Sequence, residues 1–175
     1  GDLILSKELK NNSNKKKFFV KEFFLPFNQL DISAGWKSTL NSKRAHYFDN
    51  FENKTIVASG EGEFIFFETN NFNLNKLDQT RITSDLLTVI EKQNFEFMGI
   101  RDLLIDNKEL YLTVILKDFE NNHTIAIVKA DLNLKELNFE FFFETKIKTD
   151  GYSIGTGGRI VNFENDKLLF SIGHM

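Results

Sequence analysis

The sequence predicts an all-β chain, specifically a partial β-propeller of about three four-stranded antiparallel blades. Three observations carry that expectation. One strand-turn-strand pattern occurs three times: Arg44 to Gly60, Ile100 to Ile115, and Gly158 to Gly173. The turns of all three are built from Asn, Asp, Glu and Lys, the chemistry of tight hairpins. Superposing Ile56, Leu110 and Leu168 gives spacings of 54 and 58 residues, a period made of short strands that suits propeller blades. Blade cores are expected at about 44–83, 99–144 and 157–175.

Composition bounds the rest. With 175 residues and 20 Phe the chain can build one substantial apolar core. A ring needs roughly four to eight blades, so about three suggest a piece of a longer propeller, as does a start at Gly1 rather than Met. The net charge of −3 supplies no basic footprint for nucleic acid. Cysteine is absent, which excludes disulfides, thiolate metal sites and a cysteine nucleophile. No apolar run approaches the ~18 residues of a membrane helix, and no signal peptide is visible. Abundant Lys, Asn, Ile and Phe beside four Arg and one Pro resemble coding from an AT-rich genome.

Taken in order, residues 1–17 read as a flexible polar lead-in, with Lys10 to Lys17 basic and solvated, or less simply a membrane-proximal segment. The partial propeller then spans 18–175. Phe18 to Phe27 suits a strand whose partner lies elsewhere. Lys54–Ser59 and Glu63–Glu68 form a hairpin through the glycine turn Ser59-Gly-Glu-Gly62. Both faces of the second strand are apolar, as in a sheet covered on two sides. Residues 70–79 form an Asn-rich loop. Thr83 to Lys92 fits either a short helix capped by Ser84 or Asp85, with Leu86, Leu87 and Ile90 on one side, or a strand. The β surroundings favour a strand or loop. The second segment gives four apolar runs, Gly99–Ile105, Glu109–Leu116, Thr124–Ala130 and Asn138–Glu144. The third opens with Gly157–Phe163 and Lys167–Ile172.

The stretch Gly151-Tyr-Ser-Ile-Gly-Thr-Gly-Gly-Arg159 holds four glycines in eight residues, which permits unusual torsions or close approach to a ligand. It lacks the phosphate-loop signature, so it is either a ligand-approaching turn or a loop entering an inner strand. Arg159 suits a contact with a bound cofactor or acidic ligand, or equally a salt bridge between blades. His46 sits on an inner strand that could face the axis. His123 falls in an apparent outer loop and is expected in solvent. Asp102, Asp106 and Asp150 fall where turn chemistry accounts for them.

Gly99-Ile-Arg-Asp-Leu, Glu109-Leu-Tyr-Leu-Thr, Thr124 to Asp131, Gly157-Gly-Arg-Ile-Val and Lys167-Leu-Leu-Phe-Ser-Ile-Gly173 occur in an order that resembles the glucose/sorbosone dehydrogenase family. The likeness covers roughly 44–173, about the N-terminal half of a member. It implies a six-bladed quinoprotein that oxidises sugars with pyrroloquinoline quinone (PQQ) and calcium, in the periplasm or outside the cell. Gly157, Gly158 and Arg159 would then be cofactor contacts. The family's general-base histidine stands where this chain has Gly155, which cannot accept a proton. The place of its orienting aspartate is His174, so His174 and His46 are the remaining candidate bases. Three readings follow: a sugar-oxidising propeller fragment, a non-catalytic propeller binding a carbohydrate or protein, and a chain that self-associates through exposed sheet edges.

Overall fold

The computed structural model describes residues 46–69, 79–145, 149–150, 157–164 and 167–172. The expected lead-in 1–17, the strand at 18–27, most of the loop at 70–79, Gly155 and His174 lie outside them.

Twelve strands and one helix follow one another along these residues. β1 (His46–Phe51), β2 (Lys54–Ser59), β3 (Phe64–Glu68) and β4 (Thr80–Ser84) form an antiparallel meander. The β2–β3 turn works through glycine: Gly62 has φ +88°, its N–H donates to the Ser59 carbonyl, and the Ser59 hydroxyl accepts the Glu63 N–H at 3.1 Å. Helix α1 (Leu86–Lys92) comes next, then β5 (Glu96–Asp106), β6 (Glu109–Lys117) and β7 (Asn122–Asp131), again an antiparallel meander. Asn107 and Lys108 both take positive φ, the backbone of a two-residue hairpin turn. β8 (Glu136–Leu137), β9 (Phe139–Glu144) and β10 (Thr149–Asp150) are followed by the hairpin β11 (Gly157–Phe163) and β12 (Lys167–Ile172). β9 and β10 pair with successive parts of one edge of β7.

Among the described residues two cores hold the layers. The larger lies between the first and second sheets, where Ile56, Ala58 and Phe64 meet Leu110, Leu112 and Val114, with Leu86 and Ile90 of α1. Burying those two helix side chains contributes about 2 kcal/mol each, enough to hold a seven-residue helix that would not persist alone. The smaller core joins Tyr111 and Ile127 on the opposite face of the second sheet to Ile160 of β11. β6 and β7 are therefore apolar on both faces, as expected for strands buried from two sides.

Two expectations are corrected. Thr83 to Lys92 is not mainly strand or loop: Leu86–Lys92 is helical, because Leu86 and Ile90 share a face against the core. The propeller reading fails as well, although the all-β character holds. The described strands form three discrete sheets, none closed on itself or curled into a ring. A strand also crosses the expected segment border. β8, from the supposed second blade, pairs in parallel with β4 of the supposed first, Thr83 opposite Glu136 and Ser84 opposite Leu137. The first sheet is thus the five-stranded β1-β2-β3-β4-β8. The repeat in the sequence reports hairpins, and hairpins are local units that do not specify how sheets are disposed.

Candidate functional site

Gly157–Arg159, the described end of the glycine-rich stretch, is where β11 is seated on the second sheet. Gly157 and Gly158 take φ +77° and +105°, a backbone that side chains resist, and the pairing with β12 is shifted between Gly157 and Ile160. A Cβ on Gly158 would lie 2.6 Å from Arg101 Cβ, so glycine is required for the strand to approach. The Thr113 hydroxyl donates to the Gly158 carbonyl. The Asp102 carboxylate accepts the Ile160 N–H at 2.9 Å and lies 3.5 Å from Arg159 Nε. A hydrogen bond to a buried ionised group contributes about 1.5–3 kcal/mol, whereas the guanidinium is 79% exposed and adds little. Asp49 repeats the device between the first two sheets, accepting the Ile105 N–H at 2.7 Å.

Beside this seat lies a charged and aromatic cluster on the same face. Lys129 Nζ is 2.8 Å from Glu109 and 3.5 Å from Glu140, and 5.6 Å from the centre of the Phe142 ring. The Tyr111 hydroxyl donates to Glu109. The Lys129 and Tyr111 hydrogen bonds hold the Glu109 carboxyl below its usual range. Burial, then the bond to Glu109, pushes the Tyr111 phenol up to about 12. The Glu109 bond likewise raises Lys129. These shifts move all three groups away from neutrality, so the cluster locks charges in place and is poorly suited to proton transfer at neutral pH.

Aromatic residues extend the face. The β7–β9 register shifts between Ile127 and Val128, and this bulge lets consecutive residues Phe142 and Phe143 turn the same way. Phe142 meets Tyr111 edge-on at 5.6 Å, and Phe143 meets Phe170 of β12 at 5.4 Å. Both remain about half exposed. On the far side of the β11–β12 hairpin, Val161 pairs with Leu169 and Phe163 follows. These three are also about half exposed, at 49%, 55% and 48%.

Of the residues singled out from the sequence, Gly157, Gly158 and Arg159 are together here, contacting Asp102, Thr113 and the Arg101 stem. His46 begins β1 in the first sheet, opposite Ser59, and is exposed. His123, expected in solvent, is 5% exposed on β7: the strand begins at Asn122, and the outer turn is confined to residues before it. Asp102, assigned from the sequence to the chemistry of strand edges and turns, is instead a buried acceptor in the middle of β5. The signal for it, as for Thr113, was a polar residue inside an otherwise apolar run. Among the described residues no three His, Asp or Glu are grouped to hold a metal ion, and no helix is long and apolar enough to cross a membrane.

The chain matches no family model, no curated protein and no solved structure. The resemblance to glucose/sorbosone dehydrogenases is therefore withdrawn. Its motifs were strand grammar common to many β proteins, and the ring on which that family builds its site is missing from the described sheets. Sugar oxidation by a propeller fragment and the non-catalytic propeller fall with it. PQQ and calcium were implied only by that likeness and lose that support. The residues proposed to contact the quinone are engaged in seating β11.

Proposed function

We propose that this chain is a β-sheet interaction module whose third layer binds an extended segment of a partner polypeptide. The carrying observation is the two-stranded β11–β12 sheet, with Val161, Phe163 and Leu169 half exposed on one face while the other face is packed on the second sheet. Covering those three side chains would remove roughly 250 Å² of apolar surface from water, about 6 kcal/mol before the costs of association. An alternating strand presents one apolar face at the matching spacing.

The test is selection from a displayed library of random ten-residue peptides on the immobilised chain. Peptides with alternating apolar residues are expected to enrich, and to bind a Phe163→Ser/Leu169→Ser double variant at least tenfold more weakly. Absence of enrichment, or equal binding to a folded double variant, refutes the reading.

A further inference from the structure

The third layer is fastened to the second sheet by much less than joins the first two sheets. We propose that the β11–β12 hairpin is a detachable cover, which leaves the second sheet and uncovers Tyr111, Thr113 and Ile127 while the first two sheets stay folded. The inference needs no partner and goes beyond the interaction-module reading.

Backbone pairing sets the contrast. β6 shares a full ladder with β5 on one side and with β7 on the other. β11 and β12, among the described residues, pair with each other and with no strand of the other sheets. A two-stranded hairpin is marginal in water by itself, so its place depends on side chains. Its one fully enclosed apolar side chain among the described residues is Ile160, at 3% exposure, with Leu168 and Phe170 partly buried beside it. The larger core instead encloses apolar side chains from β2 to β7 together with Leu86 and Ile90 of α1. Segments with few buried apolar contacts are the ones that open below the global unfolding threshold.

The remaining fastenings are polar and reversible. The Ile160 N–H donates to Asp102, and the Thr113 hydroxyl donates to the Gly158 carbonyl. On release, water takes up the Asp102 carboxylate and the Thr113 hydroxyl, which returns most of what those bonds supplied. Thr113 lies opposite Ile127 across the β6–β7 ladder, so a single departure bares a continuous patch of the second sheet.

The absence of cysteine allows one thiol to be placed on either face of β6. Thr113 and Val114 are adjacent and both fully enclosed, the first beneath β11 and the second in the larger core. In the full chain, Thr113→Cys is expected to be alkylated at least about a hundredfold faster than Val114→Cys, yet more slowly than in urea. Loss of the Thr113 hydrogen bond accounts for about tenfold of that at most. Wild-type amide exchange is the second measurement, with the β11–β12 amides opening at least about a hundredfold more readily than those of β6. Ile56→Val separates release from unfolding. It should speed exchange in β6 and leave β11–β12 unchanged, because the open form keeps the core that holds Ile56. Equal alkylation of the two thiols overturns the proposal, as does hairpin exchange accelerated by Ile56→Val as much as that of β6. Alkylation of Thr113→Cys as fast as in urea shows a layer that is never seated, and overturns it too.

Discussion

Replacing Gly158 with alanine tests whether the glycine pair is a structural seat. Two costs apply. The residue has φ +105°, where a Cβ is strained by about 1–2 kcal/mol. The new methyl would also sit 2.6 Å from Arg101 Cβ and 3.1 Å from its Cγ, an overlap relieved only by moving strands β5 and β11 apart. Overpacking of that kind costs about 1–3 kcal/mol. Together they predict destabilisation of about 3 kcal/mol, a large share of the ~5–15 kcal/mol that holds a typical domain. Urea unfolding of wild type and Gly158→Ala, with the slopes compared, measures it. Gly157→Ala is the control: exposed and at φ +77°, it should lose only the conformational part, about 1 kcal/mol. A Gly158→Ala protein within 0.5 kcal/mol of its Gly157→Ala counterpart, a margin of about the size expected for harmless surface changes, refutes the steric argument.

Two further outcomes are expected. The Asp85 carboxylate accepts the Phe139 N–H at 2.7 Å and so ties the start of α1 to β9; Asp85→Ala should cost about 1–3 kcal/mol in urea unfolding, with faster amide exchange at Phe139. The phenol of Tyr111 is raised to about 12 from 10.0, so its protonated form is favoured by the fold. The stability it supplies is complete below pH 10 and disappears as pH climbs from there through about 12; phenolate absorbance should show Tyr111 titrating late, moved to lower pH by Glu109→Gln.

Hairpins were legible and their assembly was not. Lys54–Ser59, Gly157–Phe163 and Lys167–Ile172 begin and end where turn chemistry and apolar runs place them, and β5, β6, β7 and β9 differ from expectation by a few terminal residues. Each depends on contacts between neighbours in sequence. The β4–β8 pairing joins residues more than fifty positions apart through two pairs, and no local pattern announces it. Helix α1 was missed because Thr88-Val89-Ile90 is β-branched; its helical state is imposed by the packing of Leu86 and Ile90. In the candidate site, the Gly157–Arg159 stretch drew notice for the backbone freedom it has. Of its partners, Asp102 reads from sequence as turn chemistry and Thr113 carries no signal of a role beyond its polarity, because alternation describes strand faces and is silent about which polar side chain is enclosed by another sheet.

The pairing of Ser84 with Leu137 has a consequence for synthesis on the ribosome. The first sheet has its rim completed only when a segment made much later has emerged, an interval of about 3–10 s at ~5–20 residues per second. Until then the nascent meander carries an open hydrogen-bonding margin. Maturation of the early part of the polypeptide is thereby tied to the arrival of the later part, and a chain stalled before Leu137 would leave β4 available to whatever β-rich segment it meets first.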